Sequence, residues 1–389
     1  MLRDDSEELK DKIDLAFRPP KKVVFTGDFM RPSVAGDRPT QHHNIRWLQN
    51  LVSSQIKMAA DLPQEVLSWG VAGVHDGRLT STDITSFYNF FGLPLDIRSW
   101  AMIFQLDQLP ARLENFLLSV FEDSLVVAFE LPPYVEHFLN RHAIPFIAAT
   151  IHPVRFLDDI FLAVRSNIPA AQEQLFKYRV DESYIRTIAG IQKASAARNF
   201  KDTAKQNSAI FLLQTWYDQS QIENGRFIDA SIYIDEIADL ANQYSEFLVK
   251  EHPLAPNPAT VYLQSRIPNL RMVTGNVYGY MSMPEIRMIA TISSSVGTEA
   301  PYFGVDSKFF LGTPVKLRLD AEDDADRYVG IVDAYLAPDF WRNMLATVMP
   351  VTKHDGVTVP FKPNRLRISL RSFWNFNEID TDVTSGLGR

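Results

Sequence analysis

The strongest constraint on the fold is a repeated alternation of short apolar segments with amphipathic helical patterns. A lysine-flanked apolar run at 21–29 breaks at Gly27-Asp28, as a buried strand does where it enters a turn. Further strand-like runs lie at 125–131 and 144–151, and helical patterns at 44–60 and 107–121. Such alternation predicts βαβ units around a mostly parallel sheet.

The same alternation starts again in the second half of the chain. A polar helical segment at 181–206 precedes a new apolar run at 208–215, and strand-like and helical patterns then alternate as far as KFFLG. We therefore predict an α/β protein with two doubly wound, Rossmann-like domains and a central cleft. The expected domains are 1–195 and 196–350, and 389 residues suffice for two cores.

The last segment, 351–389, differs in character. It follows an amphipathic helical pattern at 338–349, and it contains Phe361, Leu366, Trp374 and Phe376 among arginines. Because so many large apolar side chains are seldom left in water, we expect this tail to pack back on the N-terminal domain.

Composition excludes several classes of protein. Apolar residues make up 46% and charged residues 22%, the balance of a folded protein. Without cysteine there are no disulfides or thiolate metal sites. The charged N-terminus and the lack of a long apolar run lead us to expect a cytoplasmic protein with no transmembrane segment. A net charge of -8 argues against a nucleic-acid partner.

Polar residues follow three apolar runs of the second half, the place where ligands bind in doubly wound sheets. These residues are Gln214, Asp218 and Ser220 after the first run, Lys250 and His252 after the second, and Ser293, Ser294 and Ser295 after the third. Serine hydroxyls and free N–H groups at a helix start suit a phosphate. Structural roles are the alternative, since serines also cap helices without a ligand and a histidine before proline is often structural.

The order of these residues resembles a known family. His252-Pro253, followed downstream by Ser294-Ser295 and Glu299-Ala300, is similar to the HP and SS signatures of bacterial CMP-sugar transferases with the GT-B fold, the sialyltransferases and the β-Kdo transferases of capsule and O-antigen assembly. The resemblance covers residues 120–350. It implies that His252, Ser294 and Ser295 hold the CMP phosphate and that Glu299 contacts the nucleotide.

A second motif narrows the branch of the family. QTWYDQSQIENG resembles the Gln-x-x-x-Asp-x-Ser pattern of the retaining β-Kdo transferases rather than the Asp-Asp-Gly pattern of sialyltransferases. A retaining reaction needs a carboxylate at the anomeric carbon, as nucleophile or close stabiliser, and Asp218 is the candidate. For the base that takes the acceptor proton we select Glu130, which ends VVAFELPP; a solvated strand end is the alternative.

Candidates for binding the sugar carboxylate or the acceptor lie in the first half. His152 and Arg155 follow the run at 144–151, and arginine can bind a carboxylate through two hydrogen bonds. An arginine that ties the domains together fits equally well. Arg31 and Trp47 suit an acceptor sugar, although a core tryptophan is the commoner explanation. The adjacent His42 and His43 would point apart on a helix, so a metal site is not expected there.

No metal or other cofactor is expected. Asp324-Ala-Asp326 and Asp380-Thr-Asp382 match the letters of the Asp-x-Asp metal motif of other glycosyltransferases, but no strand leads into either. A CMP sugar carries a single phosphate, which reduces the need for a divalent ion.

The resemblance implies a retaining glycosyltransferase that moves Kdo from CMP-β-Kdo to a sugar acceptor of a bacterial surface polysaccharide such as lipopolysaccharide O-antigen or capsule. It implies further that the N-terminal domain, 1–195, lies on the acceptor side and that the domain 196–350 binds the CMP sugar. We expect the acceptor to be lipid-linked, which would allow peripheral association with the inner face of the cytoplasmic membrane or with other assembly enzymes. The alternatives are an inverting sialyltransferase-like or NDP-sugar transferase on the same fold, and an inert glycan-binding or scaffold subunit.

Overall fold

The computed structural model describes residues 17–33, 41–69, 79–252, 256–313, 315–353 and 356–370. The chain divides into two compact units. Unit 1 contains Met1–His152, Phe161–Arg179 and Leu317–Lys362, and unit 2 contains Pro153–Ile160, Val180–Lys316 and Pro363–Arg389.

Strands and helices alternate along most of the described chain. The strands are β1 (Lys22–Gly27), β2 (Gln64–Val66), β3 (Ser124–Phe129), β4 (Phe146–Ile151), β5 (Leu162–Ser166), β6 (Ser208–Leu212), β7 (Ile222–Glu223), β8 (Arg226–Phe227), β9 (Glu246–Lys250), β10 (Leu270–Val273), β11 (Ile286–Thr291), β12 (Asp306–Phe309) and β13 (Val329–Ile331). The helices are α1 (Gln41–Ala60), α2 (Ser81–Phe90), α3 (Ile97–Phe104), α4 (Ala111–Phe121), α5 (Pro133–Arg141), α6 (Pro169–Phe176), α7 (Glu182–Asn199), α8 (Ile234–Ala241), α9 (Ala259–Arg266), α10 (Val277–Met281), α11 (Val296–Glu299), α12 (Pro338–Leu345) and α13 (Arg365–Leu370).

Unit 1 is built on a mixed sheet with the strand order β13-β5-β4-β3-β1-β2. The four strands from β4 to β2 are parallel, whereas β5 is antiparallel to β4 and β13 is antiparallel to β5. The central strands β1, β3 and β4 are buried except at Lys22, and most of their side chains are apolar, as expected for parallel strands with both faces covered. The chain changes direction across the sheet between β1 and β3, which makes that edge a topological switch point.

Unit 2 is built on a fully parallel sheet with the order β10-β9-β6-β11-β12. Within this unit the order is third, second, first, fourth and fifth strand, which is the Rossmann arrangement with its switch point between β6 and β11. Aromatic and aliphatic side chains of these strands, among them Phe211, Phe247 and Val249, form the core with α8 and α9. A small antiparallel pair, β7 and β8, follows β6.

The predicted fold class, two Rossmann-like α/β units, is confirmed by this topology. The apolar runs at 21–29, 125–131, 144–151 and 208–215 all contain strands. The antiparallel strands β5 and β13 were not predicted, because a βαβ alternation contains no signal for a strand that returns without a helix.

The limits of the units differ from the predicted domain limits. The chain passes into unit 2 after Arg179, and residue 195 lies inside α7 rather than in a linker. Residues 317–350, assigned above to the second domain, contribute β13 to the sheet of unit 1.

The tail is divided between the two units. Thr352 donates its backbone N–H to Ala59 at 2.9 Å inside unit 1, whereas α13 belongs to unit 2. Leu366 is buried and Phe361 is exposed. Trp374 and Phe376 lie outside the described residues.

Within the part of the chain that the structure describes, no helix combines the length and the apolar character needed to cross a bilayer.

Gly27 ends β1 at a point where the backbone of β3 passes close to it. A methyl group on Gly27 would lie 2.3 Å from the carbonyl oxygen of Phe129 and 2.9 Å from the side chain of Ile45. Because a backbone atom of a central strand cannot move aside cheaply, we expect Gly27→Ala to destabilise the protein by about 2 kcal/mol. Unfolding of the full chain followed by circular dichroism measures the effect.

Gly190 provides the matched control. A methyl group on this helical glycine would meet nothing within 4 Å, and alanine in an exposed helix should stabilise the protein by roughly 0.5–1 kcal/mol. Equal stability of Gly27→Ala and wild type would contradict the close approach of β1 and β3.

Candidate functional site

The candidate site of unit 2 lies at the carboxyl edge of its sheet. The strands β9, β6 and β11 are neighbours and run in the same direction, and they end at Lys250, Leu212 and Thr291. The polar residues that follow these strands therefore lie along one edge of the sheet. The switch point between β6 and β11 lies in the middle of this edge.

A side-chain amide joins the ends of β6 and β11. The Oε1 atom of Gln214 accepts hydrogen bonds from the backbone N–H of Ser293 at 2.9 Å and from its hydroxyl at 3.2 Å. The Nε2 atom of Gln214 donates to Ser220 Oγ at 3.0 Å and to Asp218 Oδ2 at 3.2 Å. Gln214 is 5% exposed, so its amide fixes three neighbours from inside the protein. We call Gln214, Asp218, Ser220 and Ser293 the amide network.

Asp218 is held in one orientation by this network. Its Oδ1 atom accepts from the backbone N–H and the hydroxyl of Ser220, both at 2.9 Å. The Ser220 hydroxyl also lies 2.9 Å from Ser293 Oγ. The carboxylate thus receives three hydrogen bonds and stays half-buried. A ligand bound at the ends of these strands would therefore meet a carboxylate in a fixed orientation.

His252 and Lys250 share an electrostatic neighbourhood with Asp218. Burial lowers the pKa of His252 below its usual value, the charge of Asp218 opposes this change, and the charge of Lys250 adds to it. Burial also lowers the pKa of Lys250. His252 is therefore mostly neutral at pH 7, and a bound phosphate would favour the protonated form of both side chains.

The three serines after β11 differ in what they do. Ser293 is buried and its hydroxyl belongs to the amide network. Ser294 and Ser295 are half-buried, and Ser294 donates its backbone N–H to Thr291 Oγ1 at 3.0 Å. The predicted helix is present, but α11 has only four residues before a 3-10 turn at Ala300–Phe303. A phosphate here would depend on hydroxyls and local N–H groups more than on a long helix dipole.

Glu299 is enclosed by the protein. It is 0% exposed, and its carboxylate accepts from the hydroxyl of Tyr278 at 3.0 Å and from the backbone N–H of Arg155. Burial raises its pKa from 4.5 to about 7, against the opposing effects of Arg155 and Tyr278. The contact of Glu299 with a nucleotide stays a prediction, and in this structure the carboxylate is buried.

The candidates for the sugar carboxylate or acceptor do not share one unit. Arg155 belongs to unit 2, while His152, Arg31 and Trp47 belong to unit 1. His152 is fully buried, and the ring of Trp47 packs edge-on against Phe129 at 6.0 Å. Arg31 lies over the ring of Trp100 at 4.6 Å.

Glu130 follows β3 at the switch point of unit 1. Its backbone adopts φ 50°, a left-handed conformation that is uncommon for glutamate and is concentrated at functional sites. Its backbone N–H donates to Ala149 at 2.8 Å. Its charge acts on Tyr328, whose pKa is raised mainly by burial. The backbone of Glu130 thus lies directly after β3 at the carboxyl edge of the sheet, and its role as a base stays a prediction.

Two features of the sites were not predicted from the sequence: Asn257 as a partner of Gln214, and the burial of Asp28. Asn257 donates its side-chain N–H to the backbone carbonyl oxygen of Gln214 at 2.6 Å. Asp28 directly follows β1 and is fully buried, and it accepts from Trp100 Nε1 at 2.8 Å and Tyr134 OH at 3.0 Å. Burial raises its pKa to about 6. The Gly-Asp step after an apolar run was the available signal for Asp28.

Across the described ranges, no three histidine, aspartate or glutamate side chains come together as metal ligands would. Asp324 accepts the backbone N–H of Asp326 at 3.1 Å in an exposed loop. Asp380 and Asp382 lie outside the described residues.

No family model and no curated protein matches this chain. Among solved structures it is similar to two Thermosulfurimonas dismutans KpsC structures. One is a beta Kdo 2,7 transferase at 10% identity and TM-score 0.32, covering 59% of this chain and 75% of that one. The other is a beta Kdo 2,4 transferase at 11% identity and TM-score 0.30, covering 58% and 78%.

A third similar structure is the Methanocaldococcus jannaschii UDP-GlcNAc 2-epimerase, at 12% identity and TM-score 0.27, covering 73% of this chain and 82% of that one. Likeness at these values assigns no activity. The fold assignment comes from the strand order of the two sheets.

The raised pKa of Glu299 predicts a pH-dependent stability. The folded protein binds this proton more tightly than the unfolded chain does, so the stabilisation is complete below pH 4.5 and is lost as the pH rises to about 7. A shift of this size corresponds to about 3 kcal/mol. The glutamine of Glu299→Gln cannot ionise. As the pH rises from 4.5 to 8, the free energy of unfolding of wild type should therefore fall relative to that of the variant.

Denaturant unfolding of both proteins across this pH range measures the difference, and other titrating groups cancel in the comparison. Parallel stability curves for wild type and Glu299→Gln would show that Glu299 does not have a raised pKa.

Proposed function

We propose that this chain is a retaining glycosyltransferase that moves Kdo from CMP-β-Kdo to a sugar acceptor of a bacterial surface polysaccharide. The observation that carries the proposal is the amide network at the switch point of unit 2, with His252 and Lys250 in the neighbourhood of its carboxylate. The motifs that resemble the β-Kdo transferases consist of the same residues, which supports the choice of donor.

Asp218 is the proposed nucleophile. One of its carboxylate oxygens bonds to the anomeric carbon of Kdo while the bond from that carbon to the phosphate oxygen breaks and CMP leaves. The acceptor hydroxyl then attacks the same carbon, its proton passes to a base, and the bond to Asp218 breaks. Two inversions give net retention. Gln214 and Ser220 keep the carboxylate oriented through both steps.

His252, Lys250, Ser294 and Ser295 are the proposed ligands of the CMP phosphate. Negative charge grows on this phosphate as the glycosidic bond breaks, so donors and cations already in place lower the barrier. Burial lowers the pKa of His252 and that of Lys250, and a bound phosphate would favour the protonated form of both side chains.

Glu130 is the proposed base for the acceptor hydroxyl. Its uncommon backbone conformation at the end of β3 supports a functional role. Arg31, Trp47, His152 and Arg155 remain candidates for binding the acceptor or the sugar carboxylate. A lipid-linked acceptor, action at the inner face of the cytoplasmic membrane and independence of metal are parts of the same proposal.

Replacing Asp218 tests the nucleophile. Asp218→Asn keeps the shape of the side chain but removes the charged oxygen, so we expect turnover of CMP-β-Kdo to fall about 1,000-fold or more. A Kdo-sized adduct should appear on the wild-type protein and not on the variant. Chromatographic assay of CMP release and intact-protein mass spectrometry make the two measurements.

Asp229→Asn is the matched control. Asp229 accepts the backbone N–H of Ser231 at 2.7 Å and also its hydroxyl, which repeats the local geometry of Asp218 and Ser220. Its replacement should leave turnover unchanged. Full activity of Asp218→Asn would refute the assignment. Turnover only with CMP-sialic acid or a UDP-sugar would replace the donor, and absence of any turnover together with absence of CMP binding would favour an inert subunit.

Replacing His252 tests the phosphate site. A hydrogen bond from a cationic donor to a phosphate contributes about 1.5–3 kcal/mol, and glutamine has N–H donors but cannot carry the charge, so His252→Gln should weaken CMP binding by roughly 10- to 100-fold. The shift in melting temperature with CMP concentration reports the affinity. His142→Gln is the control, because His142 lies beside Glu114 in unit 1. Equal affinities for wild type and His252→Gln would exclude His252 from the site.

A further inference from the structure

Glu299 is held by hydrogen bonds inside unit 2. Oε1 accepts from Tyr278 OH at 3.0 Å and from the backbone N–H of Arg155, and Oε2 lies 3.3 Å from the same Tyr278 hydroxyl. The side chain is fully buried. These hydrogen bonds fix the position of Glu299 relative to Tyr278 and Arg155.

The backbone of Glu299 is continuous with the serines of the proposed phosphate site. Its N–H donates to the Ser295 carbonyl at 3.2 Å, and the N–H of Gly297 donates to the Ser294 carbonyl at 3.0 Å. A methyl group on Gly297 would lie 2.5 Å from the ring of Phe309, so the turn packs tightly on β12. The position of Glu299 therefore sets the position of Ser294 and Ser295.

The other side of Glu299 is a segment from the first half of the chain. Residues 153–160, which we call the bracing segment, belong to unit 2. Arg155 donates its backbone N–H to Glu299. The ring of Phe156 packs edge-on against Phe303 at 5.1 Å and against Tyr278 at 5.8 Å.

Helix α13 holds the bracing segment through hydrogen bonds to its backbone and to Asp159. Arg367 donates to the Arg155 carbonyl at 3.2 Å and to the Leu157 carbonyl at 3.1 Å. Asp159 accepts the backbone N–H groups of Leu366 at 2.9 Å and Arg367 at 2.8 Å. Bonds therefore run without a break from α13 through Arg155 to Glu299 and the serines.

We propose that Glu299 is a positioning residue: it fixes Ser294 and Ser295 against the bracing segment, so that α13 supports the donor phosphate site without touching the donor. The effect on donor binding rests on the proposed function. The link itself, the series of hydrogen bonds from α13 through Arg155 to Glu299, does not. Helix α13 would thereby contribute to the affinity for the donor.

Hydrogen–deuterium exchange of the full chain tests the link directly. Glu299→Ala leaves Tyr278 OH and the Arg155 N–H without their acceptor, so amide exchange in the peptide covering 293–299 should rise about tenfold or more. Glu299→Gln retains an acceptor oxygen and should exchange close to wild type. Arg367→Ala should raise exchange in the same peptide as well as in 153–160.

Glu246→Ala is the matched control for general loosening. Glu246 is a buried carboxylate at the amino end of β9, where it pairs with Arg271 at 2.9 Å. Its loss should change exchange near its own contacts and leave the peptide covering 293–299 unchanged. If Glu299→Ala does not fold, Tyr278→Phe removes the donated hydroxyl more gently and should give the same pattern to a smaller degree. Wild-type exchange in both Arg367→Ala and Tyr278→Phe overturns the proposal.

Affinity for CMP separates positioning from direct contact. Glu299→Ala and Arg367→Ala should weaken CMP binding about tenfold, and they should raise KM for the donor more than they lower kcat. Glu299→Gln should keep the CMP affinity and the donor KM of wild type, because glutamine retains an acceptor oxygen. Loss of affinity in Glu299→Gln with normal exchange would mean that Glu299 contacts the nucleotide and would overturn the proposal. If the wild-type chain does not bind CMP, the proposed function fails while the exchange data still decide the link.

Discussion

The side-chain amide of Gln214 is the interaction on which the candidate site depends. It connects two strands that are neighbours in the sheet, β6 and β11, although Gln214 and Ser293 are 79 positions apart in sequence. One amide carries both an acceptor and donors, and here the acceptor fixes Ser293 while the donors fix Asp218 and Ser220. A buried amide is costly unless it is satisfied, and satisfying it imposes a single geometry on the residues around it.

Three carboxylates at the carboxyl edges of the two sheets differ through their surroundings. Asp28 and Glu299 are fully buried, and burial raises the pKa of each, to about 6 and about 7. Each holds structural elements together, Asp28 with Trp100 and Tyr134, and Glu299 with Tyr278 and Arg155. Asp218 alone of the three is half-buried, which leaves it accessible to a substrate. Accessibility, more than position at a strand end, separates the candidate nucleophile from the other two.

The sequence allowed the strands and their polar ends to be predicted because parallel strands are buried on both faces and so appear as continuous apolar runs. Gln214, Asp218, His252 and the serines were found in this way. The partners of Asp28 and Glu299 could not be predicted, since Trp100 and Tyr134 lie 72 and 106 positions from Asp28 and Arg155 lies 144 positions from Glu299. The assignment of residues 153–160 to unit 2 and of β13 to unit 1 has the same cause, because hydrophobic periodicity contains no information about long-range pairing.

The number of donors on Asp218 bears on which chemistry it suits. Asp218 accepts three hydrogen bonds, one from the side-chain amide of Gln214 and two from the backbone N–H and hydroxyl of Ser220. Both carboxylate oxygens are therefore held in fixed directions. The attack proposed for Asp218 needs an oxygen of this kind, because the reacting atoms must be aligned before a bond can form.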